Sequence, residues 1–489
     1  MTKRVVIIGG GIAGLSAAHF LQKHSREAEN PLHLTILEAS SQWGGKITTE
    51  RVDGFVVEGG PDTFLRTKPW AVALCRELGL EDRLHGTNPE QKKTYVLRHG
   101  SLHPLPDGLT MMIPTQFSPM VRTGLLSWPE KVRMGLDFFI PPQPLNGDES
   151  LGEFVSRRLG RAAYENLIEP LMSGIYAGDG DQLSLQATFP YLRDLEIKHG
   201  GLVRGALAAR GLKKKSGEGR PETGDGGGEA GRRTSVFLTP TTGLAEIVEA
   251  LVGRLGEGRA DLRLDTRVER VMPKSGEEPG YNVVLEGGER LEAEGVILAT
   301  PAYVSGELLS GVDANVAREL QGIPYVSTAT VSLGFREEDL PRPLDGYGYV
   351  IPRREGRKAL ACTWTSTKFP HRAPEGYALL RVFVGRAGQE DQVPWDEAGL
   401  LEIAREEVRL TLGITAEPVL ERVYIWERAM PQYNLGHPER LKRIEARLGR
   451  LPGLSLAGNG YGGIGIPDCI HSGEEAAEGI LAALTKIPS

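Results

Sequence analysis

Two glycine-rich stretches and one acid carry the residues that can act on a bound ligand. Gly9-Gly10-Gly11-Ile12-Ala13-Gly14 fits G-x-G-x-x-G after the apolar run Val5 to Ile8. The first glycine of that pattern permits a tight turn. The second lets backbone approach a pyrophosphate, and the third allows close helix–strand packing. A helix that starts there offers free N–H groups and the positive end of its dipole to an anion. Glu38 ends the next apolar run, Leu32 to Leu37, where a carboxylate can accept from ribose hydroxyls. Directly after it come Gly44, Gly45 and Lys46. The bland reading of that trio is a hairpin turn with a solvated lysine. The second glycine-rich stretch, LAGNGYGGIGIPDCIHSG at 456 to 473, lies near the other end of the chain. Gly458, Gly462, Gly463 and Gly465 let backbone come close to a ligand. Pro467 suits the first turn of a helix and Asp468 its positive end. A nicotinamide dinucleotide does not need this second element. A cofactor with a long ribityl arm and a tricyclic ring does, because its far end lies beyond the first βαβ unit.

Other elements must hold these residues in place. Val5 to Ile8 and Leu32 to Leu37 are short apolar runs suited to buried parallel strands, with a helix-patterned stretch from Gly14 to Gln22 between them. Residues 69 to 80 read as a helix closed by Gly79, and 150 to 172 as helices with a Ser start and a Gly interruption. Residues 111 to 140 mix apolar residues with bases and read as amphipathic helices. The segment 211 to 235 is rich in Gly, Pro and charge, and buries too little to offset its ordering. It is expected to be a flexible loop. Strand signals return at 262 to 272, 281 to 287, 294 to 302, 328 to 335 and 377 to 385, and a helix follows at 396 to 412.

A chain of 489 residues exceeds one ordinary core, so two or three lobes are expected. The net charge of -7 argues against a nucleic-acid partner. Cys75, Cys362 and Cys469 form no CxxC pair, which suits a reducing compartment and offers no metal site. No secretory signal or membrane-length apolar window is visible. The reading is a cytoplasmic protein with at most peripheral contact at the inner face of the membrane.

The pair Gly44-Gly45 followed by Lys46 resembles the flavin amine oxidase-like superfamily. EGGPDTFLRTK (58 to 68), LIEPLMSGIYAGD (167 to 179), LSLQATFP (183 to 190), MPQYNLGH (430 to 437) and GIGIPDCI (463 to 470) resemble its oxygen-dependent porphyrinogen oxidases. GGKI, IPTQFSP, ACTWTSTKFPHRAPEG and GIPDCI are most similar to the coproporphyrinogen III oxidases of Gram-positive-type haem synthesis, with protoporphyrinogen oxidases as near relatives. Many of those relatives have an arginine before the strand YVLRHG, where this chain has Lys92-Lys93-Thr94. That departure favours the coproporphyrinogen reading without deciding it.

The resemblance implies an α/β fold with an α+β substrate lobe: a discontinuous Rossmann-like FAD-binding domain, a mixed-sheet substrate domain and a helical domain. The FAD-binding domain would take 1–90, 236–303 and 441–489, and the substrate domain 91–110 and 304–440. The helical, membrane-facing part would take 111–210, and the loop 211–235. It also implies non-covalent FAD, molecular oxygen and a porphyrinogen as small-molecule partners. The activity would be a six-electron dehydrogenation in three flavin cycles, releasing hydrogen peroxide. The cofactor positions carried over are Gly9 to Gly14, Glu38, Ala39, Gly45, Lys46, Gly60, Pro61, Asp62, Thr63, Val268, Trp426, Gly458, Ile464, Gly465 and Ile466. Without the resemblance, Val268 reads as a strand residue and Trp426 as core. The backbone of Gly174 and Ile175 would face the flavin across the substrate. Arg66 and Lys68 are candidates for substrate propionates, with surface solvation as the competing reading. His437 reads as a structural histidine and Cys469 as a packed small residue. Metal ligands are not expected. Three other readings stay open: a protoporphyrinogen IX oxidase, an amine or carotenoid-type flavin oxidoreductase, and a non-catalytic FAD-binding module that docks on membranes.

Overall fold

The computed structural model describes residues 2–27, 31–107, 109–110, 113–114, 117–144, 147–215, 235–274 and 280–486. At its centre is a five-stranded sheet in which every neighbour is parallel. Its order across the sheet is Asp261–Arg263, Leu32–Leu37, Lys3–Ile8, Gly295–Leu298 and Leu454–Leu456. Val5, Ile7, Ile36 and Ile297 are fully buried, as strands covered on both faces require. One face is covered by the helices Ile12–Glu27, Ala245–Glu257 and Ile466–Lys486. The other carries the antiparallel sheet Val268–Pro273, Tyr281–Leu285 and Arg290–Ala293, with the helices Ala302–Leu308 and Ala314–Gln321.

The second large element is a seven-stranded sheet. Its order is Leu420–Pro431, Tyr325–Arg336, Tyr377–Val384, Ala359–Trp364, Gly348–Val350, Thr94–Arg98 and Ser101–Pro104. Only the pair Gly348–Val350 and Thr94–Arg98 is parallel. The helix Glu397–Leu412 packs on one face. A third cluster is mostly helical, running from Met120 to Ala206, and is joined by Val96, Ile113 and Tyr433. In it Ser150 caps the helix Leu151–Leu159 by accepting from Glu153 N at 3.1 Å, and Gly160 turns the chain at φ 92°. This is the Ser start and Gly interruption that the sequence shows.

Several expectations need correction. The run 262 to 272 is two strands in two different sheets, divided at Asp265, whose φ of 49° breaks extension. The run 294 to 302 is a strand only to Leu298, and its end starts the helix Ala302–Leu308. The segment 304 to 440 does not stay together. The helices up to Gln321 pack with Val296 and Leu298 under the parallel sheet, and the seven-stranded sheet begins only at Tyr325. Residues 211–215 of the expected loop 211 to 235 belong instead to the helix Leu202–Lys215; 216–234 lie outside the described residues.

In the segment 111 to 140 the described helices are Phe117–Arg122 and Trp128–Gly135, followed by the 3-10 turn Leu136–Phe139. They present Trp128, Val132, Leu136 and Phe139 to solvent, with Phe139 76% exposed. The Lys131 ammonium lies 5.0 Å from the Trp128 ring centroid, and the Arg204 guanidinium 4.3 Å from that of Phe138. Fully buried Arg158 anchors the patch from below, donating to Asp137 and to the Ile140 carbonyl. Among the described residues no helix is long and apolar enough to cross a membrane.

Candidate functional site

Gly9 to Gly14 form the turn from the first strand into the helix Ile12–Glu27. Two of these glycines are forced by close approach. A Cβ on Gly14 would lie 2.0 Å from the Gly9 carbonyl oxygen, and one on Gly10 would meet the Trp43 ring at 2.4 Å. Gly11 differs: a Cβ there would meet nothing within 4 Å, so the turn is open on that side. The first-turn N–H groups of the helix have no intrahelical acceptor. Gly44 N donates to Gly10 O at 2.8 Å, so the Gly44-Gly45 pair is stitched onto this turn and is no free hairpin.

Glu38 closes the same corner. Its carboxylate accepts from Gly10 N at 2.7 Å, Ser40 N at 2.9 Å and Ser40 Oγ at 2.8 Å. Ala39 beside it is exposed. The backbone of 38 to 40 pairs with Arg263, Asp265 and Thr266, which leads the chain to Val268. Lys46 makes no ion pair with the described residues, and burial pushes its ammonium pKa down. A cation in that condition is suited to an anionic ligand.

The C-terminal stretch reaches this turn from the other side. Gly473 sits so close to the first helix that a Cβ there would lie 2.4 Å from the Ala13 carbonyl oxygen. Gly458 has φ +123°, and Cβ atoms on Gly458 or Gly462 would meet nothing within 4 Å. Gly465 N donates to Asp468 Oδ2 at 3.2 Å in the first turn of the helix Ile466–Lys486. Gly11, Gly458 and Gly462 thus leave room beside backbone. With Lys46 and the free helix N–H groups, this donor set fits a dinucleotide whose two ends meet different parts of the chain.

The loop Gly59 to Thr63 lies between this corner and the seven-stranded sheet. The Gly59 carbonyl accepts from three side chains: Thr330 Oγ1 at 2.8 Å, Trp426 Nε1 at 2.9 Å and Arg381 Nη2 at 3.2 Å. Arg381 also donates to Gly60 O. Trp426 therefore acts on the loop from behind. Burial alone would raise the Asp62 carboxyl; Lys368, 3.2 Å away, and Arg381 outweigh it and bring it down to about 2. Pro61 and Thr63 complete the loop at partial exposure.

Lys68 and Arg66 follow it and differ. Lys68 Nζ contacts both Asp468 oxygens, at 2.6 and 2.7 Å. Arg66 is exposed and donates through Nε to Ser235 O at 2.7 Å. Gly174 and Ile175 lie at the exposed C-terminal end of the helix Glu169–Tyr176. The next carbonyl, of Tyr176, accepts from Gln432 Nε2 at 2.9 Å.

The stretch 430 to 437 turns out to be the brace between these parts. Gln432 holds the end of the Glu169–Tyr176 helix. Buried Tyr433 donates its hydroxyl to Asn459 O at 2.6 Å and accepts from Gly463 N at 3.0 Å. His437 stacks on Tyr433 with centroids 4.3 Å apart and meets Tyr461 O at 3.3 Å. His437 is therefore structural. Burial pushes the Cys469 thiol up to about 12, so it stays protonated. Reading the sequence alone missed Gln432, Tyr433, Thr330 and Arg381. Their only signal was membership of resembling stretches for the first two, and none for the others.

The chain matches the family model of flavin-containing amine oxidoreductases over residues 12–481. It is 40% identical over 483 residues to a coproporphyrinogen III oxidase of Bacillus subtilis (strain 168), covering 99% of this chain and 98% of that protein. It is 29% identical over 496 residues to a chloroplastic protoporphyrinogen oxidase of Nicotiana tabacum, covering 98% and 86%. A crystal structure of a protein from Exiguobacterium sp. 255-15 superposes with a TM-score of 0.84 at 34% identity, covering 99% and 100%.

Proposed function

The chain belongs to the flavin-containing amine oxidoreductases, and we propose that within them it is an FAD-dependent oxidase that converts coproporphyrinogen III to coproporphyrin III. What supports this substrate is the extent of the likeness: the match, 40% identical overall, spans the substrate sheet and the helical cluster as well as the nucleotide corner. The balanced reaction removes six hydrogens from the tetrapyrrole and passes six electrons to three molecules of oxygen, giving three of hydrogen peroxide. Bound FAD supplies the two-electron acceptor and the reaction with oxygen.

The chain's own residues bind, orient and brace. Gly9 to Gly14 hold the pyrophosphate and Glu38 the adenosine ribose, with Ala39 and Val268 beside the adenine and Lys46 supplying a cation to the cofactor. Gly45, Gly60 to Thr63, Gly458 and Ile464 to Ile466 line the other end, with Trp426 acting through Gly59. The Gly174 and Ile175 carbonyls accept the pyrrole N–H groups. The cofactor is held without a covalent bond, in line with the protonated Cys469 thiol.

Coproporphyrinogen III carries two propionates where protoporphyrinogen IX carries vinyl groups, and a pocket must meet them with donors or water. Lys68 spends two of its three N–H groups on Asp468 and keeps one for a carboxylate. Parallel oxygen-uptake assays on the two porphyrinogens test the function. Higher turnover on coproporphyrinogen III is expected, with Lys68→Met raising its KM roughly tenfold and that for protoporphyrinogen IX far less, since one charge-assisted bond is worth about 1.5 kcal/mol or more. Efficient oxidation of protoporphyrinogen IX alone would move the assignment to that substrate.

The exposed patch of Trp128, Val132, Leu136 and Phe139, rimmed by Lys131 and Arg204, supports peripheral contact with an anionic bilayer. Sedimentation with anionic vesicles should be weak, lost in about 1 M salt, where charges are screened within about 3 Å, and lost in Trp128→Ala. Binding that survives salt and alkaline washing would mean a deeper insertion.

A further inference from the structure

Lys68 and Asp468 stand 400 residues apart in sequence and meet at 2.6 and 2.7 Å. Asp468 does not need this partner for its helix. An acid in a first turn is already favoured by the dipole, and Asp468 also accepts from Gly465 N. The pair is also asymmetric, with the Lys68 side chain 39% exposed and that of Asp468 only 13%. Its surroundings are unusual for a carboxylate. It lies at the helix end against the glycines 463 to 465, and its charge adds to the rise that burial gives the Tyr176 phenol pKa. Lys46 and Lys68 both act on the neighbouring Cys469 thiol. The helix N-terminus and the two ammoniums favour negative charge at this spot, and Asp468 opposes it.

We propose that Lys68 and Asp468 form a charge couple that sets the reduction potential of the bound flavin, Asp468 holding it down and Lys68 offsetting that pull. The inference rests on the FAD placement given above. Reduction adds electrons to the ring, so a fixed carboxylate at the helix end disfavours it and a fixed ammonium favours it. Asp468 is in addition the positioning residue for the turn at Gly463 to Gly465. A Cβ on Gly463 would lie 2.4 Å from the Asp468 side chain, so turn and carboxylate are in close contact.

The test is an anaerobic dye-coupled redox titration of the purified holoprotein without substrate. Asp468→Asn keeps the shape and the acceptor for Gly465 N, and should raise the midpoint potential. Lys68→Met leaves the carboxylate uncompensated and should lower it. Each shift should reach tenfold in the reduction equilibrium, about 30 mV for a two-electron couple. Lys68→Met/Asp468→Asn should return close to wild type. Structural damage alone would not give opposite signs that cancel. Shifts in the same direction, or both below twofold, overturn the proposal. If Lys68→Met loses its flavin, Lys68→Gln replaces it with the same expected sign; if that too loses its flavin, the sign for Asp468→Asn decides alone. A wild-type protein that purifies and reconstitutes with no flavin absorbance would instead remove the FAD reading itself.

Discussion

Gly473→Val will lower the melting temperature by about 5 °C or more and strip the protein of flavin. The added Cβ falls 2.4 Å from the Ala13 carbonyl oxygen and 3.0 Å from Ala17 N. Both are backbone atoms inside the helix Ile12–Glu27, so no rotamer change relieves the clash. The C-terminal helix must back away from the glycine turn. Overpacking of a tight contact costs about 1–3 kcal/mol, and the upper end applies where only backbone can move. Each kcal/mol is worth roughly 2–4 °C in a large domain. Gly479→Ala is the control on the same helix, because its Cβ would meet only the Ser455 hydroxyl, at 3.2 Å. It should be near neutral. Thermal melts and the ratio of flavin to protein absorbance after gel filtration measure both. A Gly473→Val protein that kept its melting point and its colour would show that the third chain segment is not bound closely into the nucleotide corner.

Glu38→Ala should weaken FAD retention by roughly tenfold to a hundredfold. A hydrogen bond to a charged group contributes about 1.5–3 kcal/mol. Here the same carboxylate holds Gly10 N and Ser40 in place before any ligand arrives. Loss of Glu38 therefore removes the ribose acceptor and loosens the turn together. Glu38→Asp, too short to keep both contacts, should fall between. Equilibrium dialysis or flavin fluorescence on the apoprotein gives the affinities. Heat denaturation of the wild type should release all of the yellow colour. Colour that stayed with the chain would contradict a non-covalent cofactor, and an unchanged affinity in Glu38→Ala would place the ribose elsewhere.

What could be read from the sequence was local. The strand, glycine turn, helix, strand and acid of the first forty residues announce themselves because each constraint lies within a few residues of the next. Pro467 and Asp468 mark a helix start for the same reason. The braces were silent because each depends on a partner far along the chain. Thr330, Arg381 and Trp426 come from three strands of one sheet and converge on a single carbonyl. Nothing in the vicinity of Arg381 distinguishes a buried guanidinium from a solvated one. The strand Leu420–Pro431 was missed because Glu421, Arg422, Glu427 and Arg428 hide its period. The sequence offers Lys68 only as a ligand for substrate or as a solvated side chain; its engagement by Asp468 is invisible at that separation.

The order of strands in the parallel sheet has a consequence for synthesis. The edge strand Leu454–Leu456 and the helix behind it are translated well after the segments they pair with and pack against, at 12–27 and near residue 295. Pairings this distant in sequence form slowly, because the intervening chain must first be ordered. A ribosome-bound chain therefore carries Gly295–Leu298 as an unpaired apolar edge and one bare flank of the helix Ile12–Glu27, both of them sticky surfaces. Until the later segments arrive, that edge and that flank are the surfaces this topology leaves to be shielded.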